Sequence, residues 1–203
     1  MYKVFIENRP IIFSQKNPSE ENSYKLINEK IESLEIDVLP LLKLLPENQV
    51  IYIICTDEKE TFDRLFHSYE KISAAGGIVR RKNKLLFIKR NGFWDIPKGK
   101  LEKGETPQTG AMREIEEECA VFGMEIRQLI CETYHTYEFK GIPTLKKTYW
   151  FAFDYNGTKE VVGQLEEGIT KVKWFNLKEL EKVRKNTFLS IIEVIDRYLL
   201  IQN

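Results

Sequence analysis

The sequence predicts a mixed α/β (α+β) fold in two parts: a small α/β unit over residues 1–70 and a larger domain over residues 71–203. Three observations predict it. Short apolar runs bounded by turn-forming residues, such as VIYIIC and KLLFIKR, read as strands. Segments with apolar residues three and four apart lie between them and read as helices. Near Ser73 the texture changes, and helical spacing gives way to strand and turn.

In chain order, Val4 and Ile6 share a strand face, Asn8-Arg9-Pro10 turns, and Ile11 to Phe13 returns, which makes a hairpin. Leu26, Ile27, Ile31 and Leu34 predict a helix over Tyr24 to Leu34, and a second short helix carries Leu41, Leu42, Leu44 and Leu45 with Pro40 near its start. Val50 to Cys55 suits a strand covered on both faces. Asp57 with Glu60 reads as a capping box opening a helix through Phe62, Leu65, Phe66, Tyr69 and Ile72. His67 on that helix reads as structural or solvated rather than as a ligand.

Beyond Ser73, SAAGGIVRR and KLLFIKR form two strands joined near Arg81-Lys82-Asn83. Gly76-Gly77 either admits a ligand or another chain segment close to the backbone or marks a sheet bend. Phe93, Trp94 and Ile96 lead through Pro97-Lys98 into GKLEKGETPQTGAMREIEEECAV, with Trp94 read as core. There Thr106 is the N-cap and Pro107 the first helical residue, where its missing N–H costs nothing. Glu114, Glu117 and Glu118 lie at i, i+3 and i+4 and crowd one helix face, while Ala111, Ile115 and Cys119 form a stripe that packs inward, flanked by Met112. Like charges so gathered call for a cation. Hard divalent ions take oxygen ligands, and magnesium binds a few carboxylates while keeping positions for water and phosphate.

After this helix, IRQLICETYHTYEF and TLKKTYWFAFDY form a long hairpin across Lys140-Gly141-Ile142-Pro143. Lys147 and Tyr149 fall on one strand face, either as a reader of phosphate and nucleobase or as an exposed cross-strand pair; His135 and Tyr137 carry the same two readings. The loop VVGQLEEG places Glu166 and Glu167 at the entrance of the strand ITKVKWF, and Leu177 to Val183 and Phe188 to Leu200 close the chain as helices.

Gly99, Glu105 and Arg113-Glu114-Ile115-x-Glu117-Glu118, ending on Val121, together resemble the Nudix box of the pyrophosphohydrolases. Ala120 departs from the pattern, standing where the family has the glycine that ends the helix, in a backbone conformation alanine adopts at some cost. The resemblance covers residues 73–203 and implies a Nudix mixed-sheet α/β/α sandwich beside the N-terminal unit. It implies that Glu117 and Glu118 ligate Mg2+, with Mn2+ as the alternative, that Glu114 is ligand or general base, and that the Gly99 carbonyl completes the shell. Glu105 and Arg113 would form a supporting ion pair, and Glu166 or Glu167 would serve as base or extra ligand.

The implied activity is Mg-dependent hydrolysis of a phosphoanhydride in a nucleoside diphosphate linked to another moiety. FWDIPKGKLEKGE and KKTYWF look most like the dinucleoside polyphosphate and diphosphoinositol polyphosphate hydrolases. Lys98, Lys100, Lys103, Lys146 and Lys147 suggest a substrate with several phosphates. The alternative is a nucleotide-binding sensor or assembly module with little hydrolysis. In that alternative the N-terminal unit is the interaction surface; in either reading it makes a homodimer contact or covers the mouth of the site.

Composition bounds these readings. At 203 residues the chain can bury a sizeable core, and its 42% apolar share is ordinary for a globular protein. Lys plus Arg and Asp plus Glu both total 31, so the formal charge is zero. That balance argues against a nucleic-acid coat or a membrane-surface protein, though not against a local basic pocket. MYKVFIENRP lacks a signal-peptide pattern and no apolar run reaches membrane-spanning length, so a cytoplasmic location is expected. Cys55, Cys119 and Cys131 show no CxxC spacing and read as reduced, mostly buried thiols.

Overall fold

The computed structural model describes residues 2–18, 23–27 and 50–202. The chain divides into two compact units, Met1–Lys71 with Tyr134–Lys146, and Ile72–Thr133 with Lys147–Asn203.

In the first unit, β1 (Tyr2–Ile6) and β2 (Arg9–Ser14) form an antiparallel hairpin pairing Val4 with Ile11. Glu7 and Asn8 both take positive φ at its turn, the pattern that matches the twist of the flanking strands. Strand β4 (Val50–Ile54) runs parallel to β2 and to β3 (Ser23–Ile27), while β1 runs parallel to residues 134–136. Helix α1 (Glu58–Leu65) opens on Asp57, whose carboxylate accepts from the Glu60 N–H at 2.8 Å. Phe62 and Phe66 fill the core with Phe13, Ile11, Ile51 and Ile53.

Three expectations are corrected here. Residues 23–27 are a strand and not the start of a helix; a short apolar run is ambiguous by spacing, and pairing with β4 decides it. The remainder of that expected helix and the one at 41–45 lie outside the described residues. Helix α1 stops at Leu65, capped by Phe66, so Tyr69 sits in a turn and Ile72 in the next strand. In β4, Ile51 and Ile53 are fully buried while Val50, Tyr52 and Ile54 are only half-buried.

The second unit is a sheet ordered β11-β6-β5-β10-β9. Its strands are β5 (Glu70–Arg81), β6 (Lys84–Arg90), β9 (Glu125–Phe139), β10 (Ile142–Asp154) and β11 (Ile169–Asn176). Short β7 (Phe93–Asp95) pairs with β6, and β8 (Lys98–Lys100) pairs with β5. Alternation along the strands explains the layers. Leu86, Ile88, Phe151 and Phe153 face one core with Ala111, Ile115 and Cys119 of α2 (Pro107–Cys119). Leu85, Phe87, Trp150 and Ala152 face the other with Ile191, Val194 and Ile195 of α4 (Leu189–Gln202), and α3 (Leu180–Arg184) adds Val183. A sheet buried on both faces between helices is the α/β/α arrangement.

Gly76 and Gly77 serve chain packing. A Cβ on Gly76 would meet the Pro97 carbonyl oxygen at 2.2 Å, and one on Gly77 the Phe151 oxygen at 2.3 Å. Trp94 packs edge-on against Phe175, as core. No cysteine is in a disulfide; Cys55 and Cys119 are buried and Cys131 half-buried. Among the described residues no helix is long and apolar enough to cross a membrane.

Candidate functional site

The site is built on α2 and the strand that crosses it. Thr106 caps the helix by accepting from the Thr109 N–H at 3.2 Å, and Pro107 follows at the first position. Ala120 ends it in the left-handed region at φ 54° and ψ 36°, donating to Glu116 O at 2.9 Å. Ala111, Ile115 and Cys119 are fully buried, which fixes the rotation of the helix and turns its acidic face toward β8.

Gly99 on β8 has no room for a side chain, since a Cβ would stand 2.0 Å from the Glu114 carboxylate. The backbone of β8 and that carboxylate therefore share one space. Arg113 gathers the other end of the face. Its guanidinium donates twice to Glu105, at 2.9 and 3.0 Å, once to Glu114 at 2.8 Å and once to Glu117 at 3.1 Å, and reaches the Lys100 carbonyl at 3.1 Å. These bonds hold Glu105 below the usual carboxylate range, helped by the Glu102 N–H, and raise Arg113 further.

Glu118 is the most enclosed of the set, 2% exposed. One oxygen accepts from Arg90 Nη2 in a short bond and the other from the Lys98 N–H at 2.9 Å. Burial pushes Glu118 up, against the pull of Arg90 and Lys98; burial likewise pushes Glu114 up, with Glu117 and Glu167 adding to it. Glu117 remains half exposed. The loop 161–168 is tied to the end of α2 by Val162 N–H to Cys119 O at 3.1 Å and Gln164 N–H to Glu118 O at 3.2 Å. That tether leaves Glu167 3.5 Å from Arg90 Nη2, while Glu166 points to solvent.

The structure thus brings together Gly99, Glu105, Arg113, Glu114, Glu117, Glu118 and Glu167. Other candidate side chains already have partners. Lys98 Nζ is in a short ion pair with buried Asp95. Lys147 Nζ meets Glu132 at 2.8 Å and lies 4.4 Å from the Tyr149 ring centroid. His135 belongs to the first unit, stacked on Phe5 at 5.4 Å. Sequence reasoning passed over Arg90 and Asp95. For Arg90 a signal existed: the apolar strand KLLFIKR ends on cations just before an acidic helix that needs countercharge.

Among the described residues no three His, Cys, Asp or Glu side chains form an assembled metal-ligand set. The donor chemistry nonetheless fits a hard divalent ion. The donors are all oxygens, and burial has already raised two of the carboxylates, which a cation would relieve.

A mixed sheet between helices, carrying a carboxylate-lined helix pressed on a glycine strand, defines the class of domain. Residues 70–197 match the NUDIX domain, and the chain belongs to that family. A MutT-like protein of Streptomyces ambofaciens is 48% identical over 52 residues, 25% of this chain and 34% of that protein. An 8-oxo-dGTP diphosphatase of Proteus vulgaris is 36% identical over 59 residues, 26% of this chain and 53% of its own. The matches therefore span between a third and about half of these relatives' lengths. In fold the chain is similar to an Ap4A hydrolase of C. elegans, with a TM-score of 0.52 at 22% identity over 64% of this chain and 97% of that one.

Proposed function

We propose that this chain is a divalent-metal-dependent pyrophosphohydrolase cleaving a phosphoanhydride in a nucleoside diphosphate linked to another moiety, with a dinucleoside polyphosphate or similar polyphosphorylated compound as substrate. The observation that carries the reading is the acidic face of α2, with Glu114 over Gly99 and Glu118 enclosed beside Arg90. Membership in the family and the partial likeness to diphosphatases support it.

Glu114, Glu117 and Glu118 would hold Mg2+ or Mn2+ with the Gly99 carbonyl, and the ion would supply charge neutralisation on the phosphate oxygens. The chain's own residues do the rest. Arg113 keeps Glu105, Glu114 and Glu117 in one orientation, so little reorganisation is left for the reaction. Arg90 holds Glu118 and keeps a buried Nε–H without an acceptor, which a phosphate oxygen would satisfy. Glu114 or Glu167 would accept a proton from the attacking water. Fewer lysines are left for a polyanion, because Lys98 and Lys147 already have carboxylate partners.

The test is a panel of dinucleoside polyphosphates, nucleoside diphosphate sugars and oxidised nucleoside triphosphates with Mg2+, Mn2+ or EDTA, with product identification. Metal-dependent release of a nucleoside monophosphate from a member is expected. Tight nucleotide binding without turnover would favour the sensor reading, for which the cation-locked carboxylates speak.

A further inference from the structure

We infer that the turn between β5 and β6 forms a second binding site, separate from the acidic helix, for a small phosphate-bearing anion. A cleft of about 260 Å³ opens there between the turn and the segment that follows β10. Arg81, Lys82 and Lys84 line one side, and Tyr155, Gly157 and Thr158 the other. The sequence RRKNK puts four cations in five residues of a chain whose formal charge is zero.

These three cations line one cleft and carry no compensating charge there. Arg80, Arg90, Arg113, Arg127, Lys98 and Lys147 each meet a carboxylate. Arg81, Lys82 and Lys84 make no ion pair among the described residues, and no acidic residue lines the cleft. Three uncompensated positive charges facing one concavity raise the local concentration of anions.

The cleft is also stiff. Arg81 lies 4.3 Å from the Trp174 ring centroid, and Trp174 in turn stacks on Tyr155 with 3° between the planes. A guanidinium packed over a ring loses less freedom on binding than a free side chain, and it presents paired donors that match phosphate. Across from it, a Cβ on Gly157 would stand 2.3 Å from the Tyr155 hydroxyl, so that wall is backbone closed over the phenol edge. Lys82 is set by the turn itself, at φ 57°. A cleft of this size suits a di- or triphosphate rather than a large ligand.

The site is independent of the acidic helix. Lys84 begins β6 and Arg90 ends it, about 20 Å apart at the ordinary strand rise. No residue lining the cleft touches Glu114, Glu117 or Glu118.

The experiment is an amide NMR titration of the whole chain with inorganic tripolyphosphate in EDTA, at fixed ionic strength, with sulfate and a short single-stranded RNA as comparison probes. Saturable shifts are expected at residues 81–84 and 156–158. Lys82→Ser with Lys84→Ser should weaken that binding at least about tenfold, as two charge-assisted contacts are lost. Lys82→Glu alone, at an exposed turn position, provides the same reading should the double variant fold poorly. Non-saturable shifts, an affinity unchanged in the variants, or an equal response to sulfate would overturn the proposal. Preference for the RNA over tripolyphosphate would overturn the small-anion assignment.

Discussion

The two ends of β6 handle charge in opposite ways. Near Arg90 three cations have carboxylates: Arg90 with Glu118, Lys98 with Asp95, Arg113 with Glu105. At Lys84 the cations Arg81, Lys82 and Lys84 have none among the described residues, and the nearby carboxylate, Asp154, is already taken by Arg80 and Arg127. Buried charge is tolerated when paired, whereas exposed charge needs no partner because water screens it. The comparison therefore separates a site whose side chains are held in place from a patch whose charge is available.

The largest effect should come from the paired end. Glu118→Gln removes a carboxylate of the proposed cation site and leaves Arg90 without its buried partner. Turnover should fall at least about a hundredfold, with the circular dichroism spectrum retained. Near-normal turnover on a substrate the wild type cleaves would break the contrast. Gly99→Ala comes next, since its Cβ would collide with the Glu114 carboxylate at 2.0 Å and push it off β8. Overpacking of this kind costs about 1–3 kcal/mol, read by denaturant unfolding, and turnover should fall with it. Ala120→Gly acts in the other direction. With φ at 54°, alanine bears a left-handed strain of about 1 kcal/mol that glycine avoids, so the variant should melt higher by several degrees.

The helix behind these predictions was legible in the sequence almost to the residue. Its cap, its buried stripe and the strained exit at Ala120 all follow from local rules, since each depends on residues within one turn. What the sequence hid was long-range. Residues 23–27 pair with β4 across 27 positions, a choice helical spacing cannot foresee. Lys147 looked like a phosphate reader because its partner, Glu132, is set by the pairing of two strands, whereas the Lys98 partner Asp95 stood only three residues away. Residues 134–146 joining the first unit were likewise invisible, which bears on any truncation. Removing residues 1–70 would strip cover from Tyr134 and Leu145, so lost turnover in that variant would not by itself assign the N-terminal unit a role.

The last predicted effects lie at the Lys84 end, and the first concerns pH. Burial alone would raise Asp154, but hydrogen bonds from Arg80 at 2.9 Å and Arg127 at 2.6 Å outweigh it and leave the carboxyl below its ordinary value. A group depressed in the folded state stabilises above its unfolded pKa of about 3.9, and that stability is lost as pH falls through the folded value. Wild type and Asp154→Asn should therefore differ in unfolding free energy by about 1–2 kcal/mol at neutral pH and converge in strong acid. A difference that persists unchanged below pH ~2 would mean that packing rather than charge holds Arg80 and Arg127 there. Because Asp154 is the carboxylate that draws Arg80 away from its neighbours, its loss should also add a free cation beside Arg81. Tripolyphosphate binding at the cleft should then tighten slightly, about twofold, and not weaken.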